Sequence, residues 1–223
     1  MKQINKQTPP RELGAWLAGQ PCDETGKKLN CGYNCMPGNV HDVVKASLLR
    51  EQGYLCCYTG LRIFDALAHI EHLRPQTSCT NGEDVAYDNL CAAYPEPNRT
   101  EACPFGAQQK GGWYDAETFI SPLLDDCEKA YVYDLQGGIS PHPRYPHADV
   151  MIKKLGLTHK KLSELRATKI NEWLFPEGEE LSETQVNRLQ ARLAQRDEED
   201  RLIEFCFVLQ QACREYVRRK RAR

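Results

Sequence analysis

The sequence predicts an α+β fold, mostly helical, and three observations predict it. Short aromatic and apolar runs bounded by turn residues fill the middle of the chain. Amphipathic helical spacing precedes them at residues 42–52, and it returns from residue 158 onward. Three segments follow: a loop-rich stretch over 1–40, a central unit over 41–115, and a strand pair with helices over 116–223.

The first segment is rich in Pro, Gly, Asn and Cys, with turn pairs at Pro9-Pro10 and Pro37-Gly38 around a short helix near Glu12 to Ala18. Next, "DVVKASLLREQ" places Val43, Val44, Leu48 and Leu49 on one helical face, with Gly53 as a stop. "YLCCYTGLRI", turning at Thr59-Gly60, and "ALAHIEHL" read as short extended pieces. From there to Asp115 loop and turn chemistry dominates. "TFISPLL" and "AYVYDLQGGI" read as two strands, the second ending in a Gly-Gly turn. Thr158 is placed to cap "HKKLSELRATKINEWL", and Ser182 with Gln185 forms a capping box for a final helix. The "RDEED" run at 196–200 interrupts that helix's apolar stripe, which predicts a break.

With 223 residues, 41% hydrophobic and 27% charged, the composition is that of a globular protein, and no apolar run approaches the roughly 18 residues of a membrane span. The N-terminal stretch lacks an apolar signal core, so no membrane association and a cytoplasmic location are expected. Eleven cysteines are then expected to be reduced, serving as metal ligands or buried thiols. Cys22, Cys31 and Cys35 match no strong zinc spacing. The formal net charge of -2 argues against a surface that grips nucleic acid everywhere. Residues 153–169 and 211–223 nevertheless each carry six Lys or Arg against one acid, as a solvated helix face or a nucleic-acid contact.

The chemistry concentrates in "AHIEHLRPQ", where His69, Glu71 and His72 fall within four positions ahead of Pro75. Where a strand ends and turns, Glu71 could bind a hard divalent cation while His72 takes a proton from water, the division of labour that phosphodiester hydrolysis needs. His69, two positions before Glu71, shares its side of an extended strand and could assist the metal. The competing assignment makes the histidines half-buried strand residues and Glu71 a solvated charge. Asn89, in "DNLCAAYPEPN", and then Asn98 supply the further polar groups that favour a site.

With these residues the chain resembles the HNH endonucleases, the ββα-metal nucleases. The resemblance implies a small ββα-metal core in which Glu71 is the acidic metal ligand, His72 the general base, Asn89 the asparagine that orients it, and Asn98 the third metal position. Gln108, Gln109 or Lys110 could approach the phosphate instead, Lys110 as a transition-state partner or as an exposed loop lysine. Arg74 is expected to contact nucleic acid. Many relatives brace this core with zinc held by two C-x-x-C pairs, but here Thr59 follows Cys56 in the first, and Tyr94 and Pro97 occupy the second. Cys56, Cys57, Cys91 and Cys103 could form an irregular zinc site or stay buried free thiols.

"LLREQGYLCCYTGLRI", "HIEHLRPQ", "YDNL", "FISPLLDDCEKAYVYDLQGGISP" and "LGLTHKKLSELRATKI" narrow the likeness. Over about residues 41–175 they resemble the PtuB-type HNH proteins of Septu and retron-associated antiphage systems. That resemblance implies Mg²⁺ or Mn²⁺ as cofactor, DNA or RNA as substrate and a PtuA-type ATPase as partner. In the retron-associated form it also implies a reverse transcriptase with its RNA–DNA product. A catalytically idle HNH-like adaptor is the alternative. Phe205, Phe207 and Leu209 on the last helix are assigned to the core or to docking of the ATPase.

Overall fold

In a computed structural model that describes residues 1–21, 24, 32–96 and 101–222, helices and two small antiparallel sheets alternate, an α+β arrangement. Helix α1 (Arg11–Ala18) follows Pro10 and buries Leu13. Helix α2 (Gly38–Glu51) starts directly after Pro37, four residues ahead of the expected start, and buries Val40, Val44 and Leu48 at every fourth position.

Strands β1 (His69–His72) and β2 (Leu90–Ala93) pair with His69 opposite Ala93 and His72 opposite Leu90. The C-terminal end of α2 fixes this pair. Buried Gln52 donates to the Ala92 carbonyl at 2.8 Å and accepts from the Ala92 N–H at 2.7 Å, so β2's outer edge has no exposed ladder groups there. Glu51, also buried, accepts from Lys6 Nζ at 2.7 Å and from the Tyr87 hydroxyl at 3.1 Å. Helix α3 (Ala107–Lys110) comes next in the chain.

Strands β3 (Tyr131–Tyr133) and β4 (Ile139–Pro141) both come from "AYVYDLQGGISP". Asp134 Oδ1 accepts from the N–H groups of Gln136 and Gly138 and closes their turn. The strand expected in "TFISPLL" does not form. Asp115 Oδ1 instead caps the N–H groups of Glu117 and Thr118, and the Pro122 carbonyl accepts from Ile4 N–H, which holds 115–124 in turns.

Helix α4 (Ala148–Lys154), unforeseen in the sequence, ends before Gly156, whose φ of 58° turns the chain. Helix α5 (Lys160–Leu174) begins after His159, and Thr158 does not cap it because the Gly156–His159 turn holds Thr158 one residue too early. Buried Arg166 of α5 donates to the carbonyls of Gly137 and Leu157 at 3.0 and 2.9 Å, tying α5 to the β3–β4 turn. Helix α6 (Glu183–Leu193) carries the complete Ser182–Gln185 capping box, and the expected break separates it from α7 (Cys206–Arg221).

Phe205, Phe207 and Leu209 are buried. The Phe207 ring lies so close to Gly60 that a Cβ there would approach within 2.5 Å, so α7 packs directly on the turn between Cys57 and Arg62. One buried apolar cluster therefore draws residues from Met1 to Tyr216. Among the described residues no helix is long and apolar enough to cross a membrane.

Candidate active site

Strand alternation places His69 and Glu71 on one side of β1 and Ile70 and His72 on the other. The alternation holds through His72, so the expected turn that would aim Glu71 and His72 at one point begins too late. The two side chains sit in separate surroundings on either side of the strand's end.

Glu71 faces α3. Lys110 Nζ lies 2.9 Å from Glu71 Oε1, the Tyr58 hydroxyl donates to the same oxygen at 3.1 Å, and His69 Nε2 stands 3.5 Å from Oε2. Burial pushes the Glu71 carboxyl pKa up, but His69 and the Lys110 ammonium outweigh it and hold it below the usual value. Lys110 also donates to the His72 carbonyl at 3.0 Å and its side chain is only 1% exposed. It is a helix residue within the core, not an exposed loop lysine.

His69 Nδ1 contacts the Pro95 carbonyl, which can only accept, so Nδ1 carries the hydrogen. Its Nε2 then faces Glu71 Oε2, and two lone pairs converge unless a proton or a metal ion lies between them. Burial lowers the His69 pKa, while Glu71 and the Pro95 carbonyl more than reverse this and raise it. A divalent cation here would have one imidazole nitrogen and one carboxylate oxygen from this pair, and would take water and substrate oxygens in its other positions. Among the described residues no group of three or more His, Cys, Asp or Glu side chains is arranged to hold a metal. Asn98, the expected third position, lies outside the described residues.

His72 is buried against the loop from 73 to 89. Its Nε2 lies 2.9 Å from the Asp84 carbonyl, which assigns the hydrogen to Nε2 and leaves the lone pair of the neutral ring on Nδ1. The Tyr33 ring meets it edge-on at 4.5 Å, and Asp84 Oδ2 in turn accepts from the Tyr33 N–H at 2.7 Å. Burial lowers the His72 pKa and the Asp84 carbonyl only partly restores it, which favours the neutral ring. Sequence spacing gave no sign of Tyr58, Tyr33 or Asp84.

The hydrogen bonds of the Asn89 side chain go to Arg74, Cys79 and Glu83 and not to the His72 ring. Its Oδ1 accepts from Arg74 N–H at 2.7 Å, and its Nδ2 donates to the carbonyls of Arg74 and Glu83 at 3.0 Å each. It therefore ties both ends of the loop to the end of β1 and positions His72 through the backbone. Arg74 pairs with Glu83 at 2.9 Å, lies over the Tyr114 ring at 5.5 Å and lines a cavity of about 460 Å³ with Tyr114 and Asp88.

Among the described residues the four cysteines form no group arranged to hold a metal. Cys56, Cys57 and Cys91 are buried and joined by thiol contacts, with Cys57 between the other two. Cys103 donates to the Phe105 carbonyl. Burial would raise the Cys56 pKa, but donors from Cys57, Thr59 and Tyr94 bring it down to about 6. The Tyr94 N–H reaches Cys56 Sγ at 3.3 Å. Cys56, Thr59 and Tyr94, which occupy three of the four positions of the C-x-x-C pairs, thus meet through hydrogen bonds.

No protein-family model matches the chain, and no curated protein matches it.

Proposed function

We propose that this chain is a metal-dependent nuclease of the HNH type, of ββα-metal architecture, that hydrolyses phosphodiester bonds in DNA or RNA. It would act in the cytoplasm as the effector of an antiphage complex with a PtuA-type ATPase. The observation that carries the reading is His72: a buried, neutral imidazole at the end of β1, with Nε2 fixed by the Asp84 carbonyl and Nδ1 left to accept a proton.

In this reading His72 Nδ1 takes the proton from the attacking water, and Asn89 keeps the strand end and loop in register beneath it. Glu71 and His69 would hold Mg²⁺ or Mn²⁺, which when bound stabilises charge on the phosphate and the leaving oxygen. Lys110, already beside Glu71, supplies a fixed positive charge to the same side of the strand. The substrate phosphate must span the strand's end to meet both sides. Cleavage should weaken below pH 6.5, because acid protonates Nδ1, and the fall should centre below the ordinary histidine value since the His72 pKa is lowered. A rate profile from pH 5 to 8 checks this. A panel of plasmid, single-stranded DNA and total tRNA, each with Mg²⁺, Mn²⁺ or EDTA, tests activity and substrate together. Cutting that stops in EDTA is the expected result.

A second reading has one observation in its favour. Lys110's ammonium neutralises Glu71 at 2.9 Å, as a resident cation would, which suits an HNH-like adaptor that binds nucleic acid or the ATPase without cutting. An adaptor leaves every substrate in the panel intact.

A further inference from the structure

A cleft of about 640 Å³ lies between the β3–β4 hairpin and α7, and none of its lining residues contributes to the Glu71 or His72 surroundings. Lys129, Arg144, Arg214, Arg218 and Arg219 line it with two carboxylates, Asp134 and Glu215, while Asp126 beside it pairs with Lys129 and accepts from the Tyr145 hydroxyl, so the four arginines carry its positive charge. Glu215 acts as a clamp. Its carboxylate accepts from Arg218 Nε and Nη2 at 2.8 and 2.9 Å and from Arg219 Nε at 2.6 Å, which fixes both guanidinium groups and leaves their remaining N–H groups available. Arg144 and Arg214 are exposed and have no ion-pair partner among the described residues.

Arg214 and Arg218 are four residues apart on one helix face, about 6 Å along the axis, a step on the scale of one nucleotide of backbone. Tyr145 adds an aromatic ring at the rim, 6.0 Å from the His142 ring and 6.2 Å from that of His147. Basic groups at regular spacing beside aromatic surface are the means by which proteins hold unpaired strands. The cleft is too small for a duplex to enter.

We propose that this cleft binds single-stranded nucleic acid, with the arginines on its phosphates and Tyr145 against a base. Binding there needs neither Glu71 nor His72, so the proposal stands or falls separately from the hydrolytic reading.

The test is fluorescence anisotropy of a labelled 20-nucleotide single strand across a salt series in EDTA, which removes cleavage from the measurement. The unaltered chain is compared with Arg144→Ala/Arg214→Ala and with Arg50→Ala/Arg188→Ala, an equal charge change at exposed positions of α2 and α6 outside both basic runs. Circular dichroism confirms that each variant folds. The cleft variant should bind at least tenfold more weakly, and its log–log salt slope should be shallower by about 1.4, the loss of two phosphate contacts. The Arg50/Arg188 variant should bind like the unaltered chain. Equal weakening in both variants, unchanged binding in the cleft variant, or displacement of the strand by polyglutamate at equal charge would each overturn the proposal.

Discussion

The two hairpins have the same antiparallel pairing and differ in what joins their strands. β3 and β4 are linked by the tight turn 134–138, which Asp134 closes locally. β1 and β2 are linked by residues 73–89, a connection that needs Asn89 to hold its two ends together. The short link gives a rigid wall for a basic cleft. The long one brings the Asp84 carbonyl to the His72 ring, which also meets the Tyr33 ring from the N-terminal segment. Burial differs as well: all of β2 is buried, whereas Val132 and Ser140 of the other pair are exposed.

The largest expected effect on stability falls on the first hairpin. Glu71→Gln removes the carboxylate from a nearly buried pair and leaves the Lys110 ammonium without its counter-charge, so unfolding in urea should show a loss of about 3–5 kcal/mol. A change below 1 kcal/mol would mean that water reaches Lys110. Asn89→Ala comes next, at about 2–3 kcal/mol, because the carbonyls of Arg74 and Glu83 and the Arg74 N–H lose their partner. Cleavage should fall with it through disorder of the loop, and hydrogen exchange over residues 74–85 should rise.

The second hairpin supplies an effect separate from the site. Gly137 sits at φ 79°, and a Cβ there would approach the Ser163 carbonyl within 2.1 Å and the Ala167 nitrogen within 2.7 Å, so Gly137→Ala should cost about 2–4 kcal/mol as the hairpin and α5 move apart. Such a variant should leave cleavage by the first hairpin intact. Parallel loss of activity would show that the two hairpins are coupled through the shared core.

Local chemistry was legible in the sequence and contacts between distant segments were not. The Ser182–Gln185 box and the break at 196–200 depend on neighbouring residues, and both are present. α4 is only two turns long, too short for its periodicity to stand out. The apolar run "TFISPLL" looked like a strand, but Pro122 and the Asp115 cap hold it in turns. At the candidate site, Glu71 and His72 were marked by their spacing. The partner of Glu71 was not, since Lys110 reaches it from a helix 39 positions along the chain. Nor could spacing reveal that His72 is held by a backbone carbonyl, because a carbonyl is common to every residue.

The central claim is that His72 accepts the proton in phosphodiester hydrolysis, and a single-turnover cleavage assay with saturating chain tests it most directly. With Mn²⁺ at pH 7.5, His72→Ala should cut about 10²–10⁴-fold more slowly than the unaltered chain while binding the same strand equally well. Cleavage by His72→Ala at the unaltered rate would contradict the claim.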